Sequence, residues 1–226
     1  MREDERRKAE LLTNLNEVKR TLPTNVNLIV VTKTFPISDI EILYELGERQ
    51  FGENREDEGS GKSKAMPEDV IWHFQGRIQS KKIKSLVNWC DVIHSLDDLG
   101  HAKKIQETAA ILNKLQDVFI QINLDGDLRS ENRSGINGAE LMNFTEAISH
   151  LNSLRVLGVM GIAPLNQDPR PGFEFLAESS MRLRSVMPEA TNISAGMSSD
   201  YQIALNYGAT HLRIGSSILG SRNYQA

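Results

Sequence analysis

The stretch Asn27-Leu28-Ile29-Val30-Val31-Thr32-Lys33 sets the pattern for the whole chain. Its consecutive apolar residues, Leu28 to Val31, are typical of a parallel strand that is buried on both faces. Pro36 follows closely and keeps the strand from continuing. Lys33 therefore places an ammonium group beyond the carboxyl end of a buried strand, where α/β proteins bind their ligands. The alternative is a strand-end lysine that only reaches solvent.

The rest of the chain repeats this unit of a strand followed by a helix. Strand candidates lie at 27–33, 50–54, 70–75, 91–95, 117–123, 154–160, 192–194 and 211–215, each with a helical pattern after it. This alternation predicts a single α/β domain over residues 1–226, a closed parallel (β/α)8 TIM barrel. An open doubly wound sheet is the alternative, but no glycine-rich turn follows the first strand.

An extra helix is predicted before the first strand, over residues 3–20. It has apolar residues at helical spacing, namely Leu11, Leu12, Leu15 and Val18. A second helix, rich in lysine, is predicted after the third strand and includes Lys81, Lys82 and Lys84. Such a run usually forms a solvated face.

Composition excludes several classes of protein. The chain has 226 residues, 39% of them apolar and 25% charged, and its net charge of −4 gives no general attraction to nucleic acid or anionic membranes. The one cysteine, Cys90, excludes a disulfide within the chain and indicates a reducing compartment. The amino terminus is too polar for a signal peptide, and no apolar run reaches membrane-spanning length. We therefore expect a cytoplasmic protein without nucleic-acid or membrane partners.

Two loops after the last two strands are rich in small residues. The segment 194–200 (Ser-Ala-Gly-Met-Ser-Ser-Asp) joins the seventh strand to a helix, and Gly215-Ser216-Ser217 follows the eighth. Backbone N–H groups at helix starts bind anions, and phosphate bound between these two loops is a recurring feature of such barrels. Together the loops predict a phosphate site. Taken singly, Ser198 and Ser199 are also consistent with helix capping, and Gly215 with a turn.

Arg213 lies inside the last apolar strand, between Leu212 and Ile214. A buried guanidinium needs a partner, which is either a carboxylate of the core or an atom of a ligand. A lysine amine opposite a phosphate site suits a phosphorylated aldehyde held as a Schiff base. Pyridoxal 5′-phosphate (PLP) fits these groups, and so does the sugar-phosphate substrate of an aldolase.

Several ordered motifs of the chain match a known family. They are Val30-Val31-Thr32-Lys33, Phe51-Gly52-Glu53-Asn54, the segments 72–79 (WHFQGRIQ) and 121–123 (QIN), Arg133-Ser134-Gly135, the segments 158–164 (GVMGIAP) and 196–200 (GMSSD), and Arg213-Ile214-Gly215-Ser216. On these motifs the chain resembles the YggS/PROSC family of pyridoxal-phosphate-binding homeostasis proteins over nearly its full length. The resemblance implies a barrel similar to the N-terminal domain of bacterial alanine racemase.

The resemblance also implies roles for individual residues. Lys33 would form the internal aldimine with PLP, and Arg213 would face the pyridine nitrogen and disfavour its protonation. The phosphate would be held by Ser198, Ser199, Gly215 and Ser216. Asn54 and Met160 would lie near the cofactor, with His73 in the neighbouring part of the mouth.

The chain departs from the family pattern at three positions. Gln75 stands where an aliphatic residue is common, Lys81 where an asparagine is common, and Arg133 where the family usually has a lysine. These changes leave the implied PLP contacts intact. They weaken the expectation that the basic helix helps to deliver PLP.

The first hypothesis is a non-catalytic PLP carrier in PLP (vitamin B6) and amino-acid homeostasis, with PLP-dependent apo-enzymes as recipients. In alanine racemase a second domain supplies a catalytic tyrosine, and the chain ends at Ala226 without residues to build one. Two-base racemisation is therefore not expected. We also expect the protein to be a monomer. The second hypothesis is a PLP-dependent racemase or aldolase of low activity, with His73 or Lys82 as base. The third is a PLP-independent Schiff-base aldolase.

Overall fold

The computed structural model describes residues 3–125 and 134–220, which form a closed barrel of eight parallel strands. The strands are β1 Asn27–Val31, β2 Gln50–Glu53, β3 Ile71–Phe74, β4 Val92–Leu96, β5 Gln116–Ile122, β6 Leu154–Gly161, β7 Asn192–Ser194 and β8 His211–Ile214. Each strand pairs with the next in the chain, and β8 pairs with β1, where Ile29 lies opposite Arg213. The predicted barrel is confirmed.

Helices cover the outside of the barrel and alternate with the strands. They are α1 Glu3–Lys19, α2 Ile37–Glu45, α3 Glu56–Ala65, α4 Ile83–Trp89, α5 Leu99–Ile111, α6 Leu141–Ile148, α7 Arg170–Arg184, α8 Tyr201–Leu205 and α9 Ser216–Leu219. The extra helix α1 is as predicted, and it packs beside α9 and α2. Arg7 joins these three helices, because its guanidinium donates to both carboxylate oxygens of Asp39 and to the carbonyl of Leu219.

Two details of the helices differ from the prediction. Leu12 is 42% exposed, so α1 buries a narrower stripe than its apolar residues indicate. The lysine-rich helix is wrong in extent, since α4 begins at Ile83 and only Lys84 lies within it. Lys82 precedes α4 and forms ion pairs with Asp57 and Glu56, so its charge is paired rather than part of an open basic face.

The core has an outer layer between strands and helices and an inner layer in the barrel lumen. Alternation along β8 turns Leu212 and Ile214 toward the helices and His211 and Arg213 inward. The ring of Phe119 on β5 lies 4.6 Å from that of His94 and 5.1 Å from that of His211, so residues of separated strands meet in the lumen. The lumen is therefore far more polar than the aliphatic filling typical of such barrels.

The remaining sequence predictions concern membrane-spanning helices, metal sites and two single residues. In the described ranges, no helix is long and apolar enough to cross a bilayer, and no cluster of three or more potential metal ligands occurs. Cys90 is buried, and burial raises the pKa of its thiol. Arg133 lies outside the described residues.

Candidate functional site

The eight predicted site residues lie on or just after five consecutive strands of the eight-stranded barrel. Met160 is on β6, Ser198 and Ser199 follow β7, Arg213 is on β8, Gly215 and Ser216 follow it, Lys33 follows β1, and Asn54 follows β2. The strands β6, β7, β8, β1 and β2 are consecutive neighbours in the closed sheet. Because the carboxyl ends of parallel strands meet at one rim, these residues lie at or just below the same part of the mouth.

Lys33 lies in a tight turn that begins just after β1. The carbonyl of Thr32 accepts a hydrogen bond from the N–H of Phe35 at 3.0 Å, which places Lys33 and Thr34 at the two central positions of a β-turn. Thr34 has φ of 70°, a left-handed conformation that β-branched residues rarely adopt. Such a residue stores about 1–3 kcal/mol of strain and persists only when its surroundings hold it. Lys33 is half-buried there.

Arg213 is a buried charge with neutral partners. Only 3% of it is exposed, and its guanidinium donates to the hydroxyl of Ser194 at 2.6 Å and to the carbonyl of Gly161 at 2.9 Å. Among the residues that the structure describes, no carboxylate forms an ion pair with it, so the core-carboxylate alternative is not what the fold uses. Burial lowers the pKa of Arg213 to about 10, and the group stays charged at neutral pH.

A chain of hydrogen bonds leads from Arg213 into the lumen. Ser194 Oγ lies 2.8 Å from His94 Nδ1, and His94 Nε2 lies 2.9 Å from His73 Nδ1. Because an arginine only donates, Ser194 accepts from Arg213, and the Ser194 hydroxyl proton is available to His94 Nδ1. In that tautomer His94 donates from Nε2 to His73 Nδ1, and the proton of His73 lies on Nε2. That nitrogen is buried and has no partner within residues 3–125 and 134–220.

The two histidines of this hydrogen-bonded chain, His73 and His94, are neutral. Burial lowers the pKa of His73 to about 3 and that of His94 well below its ordinary value. His73 is 2% exposed, so it lies inside the lumen and not in the open mouth where the family resemblance places it. Its alternative role as a base at the mouth is not supported, because its ring reaches His94 instead.

The loops after β7 and β8 are joined to each other. The hydroxyl of Ser198 accepts a hydrogen bond from the N–H of Ser217 at 3.2 Å. Ser199 and Ser216 are exposed at the rim. The N-cap position of α8 is occupied by Asp200 rather than by Ser198 or Ser199. A Cβ on Gly215 would approach the carbonyl oxygen of Val31 to 3.1 Å, which shows how closely the last loop lies against β1.

Asn54 and Met160 flank this part of the barrel at different depths. Asn54 is half-buried at the rim, and its carbonyl oxygen would lie 1.9 Å from a Cβ on Gly76. Met160 is fully buried and packs with Val92 and Phe119 in the lumen. Met160 therefore lies below the rim, on the strand next to Ser194.

Gln75, one of the departures from the family pattern, turns into the space that Gly52 leaves open. A Cβ on Gly52 would lie 2.2 Å from Gln75 Nε2. That amide nitrogen is buried and has no hydrogen-bond partner in the part of the chain that the structure describes. This substitution thus adds an unpaired donor near the mouth where an aliphatic side chain would have none.

Two features of this region were not predicted from the sequence. The first is the chain through Ser194 and His94, although strand alternation places both residues inward once the strand bounds are known. The second is a buried ionic cluster around Lys62, beside the Lys33 turn. A lysine in a polar helix gives no sequence signal of burial.

Comparison with known proteins identifies the family. The profile of "Alanine racemase, N-terminal domain" matches residues 7–223. A pyridoxal phosphate homeostasis protein from Synechocystis sp. is 37% identical over 213 residues, covering 92% of this chain and 96% of the relative. One from Mycobacterium tuberculosis is 33% identical over 221 residues, covering 89% of this chain and 84% of the relative. The chain belongs to the pyridoxal phosphate homeostasis protein family.

Solved structures agree with that family. PipY of Synechococcus elongatus, solved with PLP bound, superposes with a TM-score of 0.84 at 30% identity and covers 93% of this chain and all (100%) of PipY. Alanine racemase from Corynebacterium glutamicum has a TM-score of 0.76 at 13% identity, covering 97% of this chain and 64% of the racemase. The racemase likeness shows the shared barrel fold, and the resemblance inferred from the motifs is confirmed.

Proposed function

We propose that the protein holds PLP at the barrel mouth as a Schiff base on Lys33 and serves PLP and amino-acid homeostasis without robust turnover. The observation that carries this proposal is Arg213, a buried charge whose hydrogen-bond partners are both neutral, on the strand beside the one that Lys33 follows. PLP supplies an aldehyde, a pyridine nitrogen and a phosphate. A primary amine, a buried cationic donor and two hydroxyl-rich loops are complementary to these three groups.

Each proposed role follows from the chemistry of the residue. The amine of Lys33 condenses with the aldehyde, forming a carbon–nitrogen double bond and releasing water. Arg213 faces the ring nitrogen and keeps it unprotonated, because two adjacent positive charges in a buried site repel each other. The phosphate accepts hydrogen bonds from the two rim loops, through Ser198, Ser199, Gly215 and Ser216. Asn54 and Met160 flank the cofactor.

A carrier role is supported by what surrounds the mouth. Racemisation needs a proton acceptor and a donor on opposite faces of the substrate. The histidines of the lumen are 8% exposed or less, and His73 and His94 bond to each other. Relatives over most of this chain are named homeostasis proteins rather than enzymes. In this proposal residues 1–226 act as one PLP-binding unit, a cytoplasmic monomer that delivers PLP to PLP-dependent apo-enzymes.

The first test is the visible absorbance of the protein with PLP, followed by borohydride reduction and peptide mapping. We expect one pyridoxyl adduct on Lys33. Lys33→Ala should lose the covalent adduct while keeping weaker, non-covalent PLP through the phosphate contacts. Lys84→Ala, which changes an exposed lysine of α4, is the matched control and should behave as the wild type. An adduct of unchanged stoichiometry in Lys33→Ala would show that another lysine is the anchor.

The absence of turnover and the monomeric state are tested by separate measurements. Alanine racemisation faster than that of free PLP would contradict the non-catalytic role. Light scattering should give the mass of one 25.3 kDa chain.

Transfer is tested by mixing the PLP-loaded protein with an apo-enzyme in the presence of a trap for free PLP. Activation that survives the trap supports direct delivery, and its loss refutes it.

A further inference from the structure

A buried ionic cluster lies behind the Lys33 turn. Lys62, on α3, is 8% exposed and its ammonium has three acceptors, which are Glu53 Oε1 at 2.7 Å, Glu58 Oε1 at 2.6 Å and the carbonyl of Thr32 at 2.8 Å. An ammonium has three N–H donors, so all of them are engaged. Lys62 is therefore committed to the protein and is not the amine that meets a ligand.

Glu53 completes the cluster from the end of β2. It is fully buried, and its Oε1 also accepts from the hydroxyl of Thr32 at 2.6 Å. Its Oε2 has no hydrogen-bond partner among the described residues. Burial raises the pKa of Glu53, and the nearby charge of Lys62 opposes that shift. A carboxylate held under these conditions is costly, and buried ion pairs are in general a poor source of stability.

The cluster holds both sides of Lys33. Lys62 and Glu53 bind the residue before it, Thr32, through its carbonyl and hydroxyl. Glu58 binds the residue after it, because its Oε1 accepts the backbone N–H of Thr34 at 2.6 Å. Thr34 is the residue with φ of 70°, so the strained end of the turn is fixed by a charged hydrogen bond.

We propose that Lys62 is a positioning residue for Lys33, acting through Thr32 directly and through Thr34 by way of Glu58. The inference rests on the proposed function, since it concerns the amine that binds PLP. The cluster keeps the backbone of the turn in its strained conformation and so aims the Lys33 side chain at the mouth. Buried ion pairs are in general a poor source of stability, which is consistent with a role in geometry, and hydrogen bonds from Lys62 and Glu58 join α3 to the turn.

The experiment compares Lys62→Met with the wild type in two measurements. Exchange of the Thr34 amide proton, followed by NMR without PLP, reports the turn itself. The rate at which added PLP becomes trapped on Lys33 by borohydride reports its positioning. We expect Lys62→Met to speed exchange of the Thr34 amide proton by about tenfold or more and to slow trapping by a similar factor. The charged hydrogen bond to the Thr32 carbonyl is lost, and Glu58, which binds the Thr34 N–H, loses the ammonium that holds its carboxylate in place.

The matched control is Lys64→Met, the same change on the same helix at an exposed position outside the cluster. It should leave both rates unchanged. Where Lys62→Met does not fold, Glu58→Ala decides, since it removes the acceptor of the Thr34 N–H and leaves the Lys62–Glu53 pair whole. We expect Glu58→Ala likewise to speed exchange of the Thr34 amide proton and to slow trapping of PLP on Lys33.

Three outcomes separate this inference from the proposed function. Faster Thr34 exchange with slower trapping in the folded variant supports the positioning role. Trapping on Lys33 at the wild-type rate overturns it, whatever the variant does to stability. A wild-type protein that forms no adduct on Lys33 overturns the proposed function, and the inference with it, before any variant is made.

Discussion

At the scale of single residues, Arg213 shows how the partners of a charge define its use. The sequence left open a carboxylate of the core or a ligand atom as its partner. The structure gives it a hydroxyl and a carbonyl, Ser194 and Gly161. Neither acceptor carries a negative charge, and Asp200 acts on the guanidinium only through space. Such a buried charge is costly without a ligand and favourable toward a lone pair on a ring nitrogen.

Arg213→Met should therefore separate binding from folding. Without PLP we expect its melting temperature to stay within about 4 °C of the wild type, because lost hydrogen bonds are offset by the removal of a buried charge. The rise in melting temperature that saturating PLP gives the wild type should be largely lost. Arg155→Met is the control, since Arg155 is exposed and paired with Asp117. A variant that unfolds far earlier but binds PLP normally would show that Arg213 serves the core.

Thr34 provides a second test at this scale. Thr34→Asn should stabilise the protein by about 0.5–1 kcal/mol, because asparagine tolerates positive φ better than a β-branched residue does. The backbone N–H that Glu58 binds is kept. Thr34→Val, which retains the branch at Cβ, should give no such gain. The measurement is the urea concentration at the midpoint of unfolding, compared at an unchanged dependence of the unfolding free energy on urea. Equal midpoints for the two variants would argue against strain at this position.

At the scale of elements, α3 lacks the apolar face that usually holds a surface helix against the core. Its buried residues are Gly59 and Lys62, so it has no apolar stripe. It is held by the ionic cluster of Lys62 and by the close approach of the Trp89 ring, which a Cβ on Gly59 would meet at 2.3 Å. Its residues are almost all charged, glycine or serine, so the sequence gives no indication of which face is buried.

The two glycines of α3 offer a matched pair of substitutions. Gly61→Ala should stabilise the protein by about 0.5–1 kcal/mol, because alanine is the better helix former and nothing lies within 4 Å of its Cβ. Gly59→Ala gains the same propensity but must displace Trp89, so it should destabilise by about 1–3 kcal/mol. Denaturation in urea measures both. Equal effects of the two variants would show that α3 does not pack on α4 as described.

At the scale of the whole molecule, the polar lumen makes the barrel sensitive to acid. Three histidines lie inside it, and burial lowers the pKa of His73 to about 3 and of His211 to about 4, while that of His94 falls well below its ordinary value. The unfolded chain titrates its histidines near pH 6.5. Between that pH and about 4 it binds more protons than the folded protein, so stability falls as the pH is lowered.

We expect each histidine to contribute about 1.4 kcal/mol per pH unit to this loss. Glu53, Asp91 and Asp97 act in the opposite sense, because burial raises the pKa of each and the folded state then holds extra protons. His211→Gln should reduce the slope of unfolding free energy against pH by about one proton. The exposed His150 provides the control His150→Gln. Identical slopes for both variants would contradict this account.

The sequence by itself determined the barrel, the extra helix and the family. It did so because hydrophobic period and turn chemistry are local, and because the motifs stand at fixed positions along the strands. Local signals also explain its errors. Leu12 has helical spacing but faces solvent, and Lys82 reads as part of a basic run although acidic neighbours from α3 pair with it.

Only the tertiary structure decided which partners the buried polar groups have. His94 and Ser194 are 100 residues apart, and Thr32 and Glu53 are 21 apart, so no local pattern connects them. Their pairing arises when strands close into a barrel and buried donors must find acceptors. The neutral partners of Arg213 and the cluster that holds the Lys33 turn are therefore consequences of closure, which a one-dimensional reading of residue types does not contain.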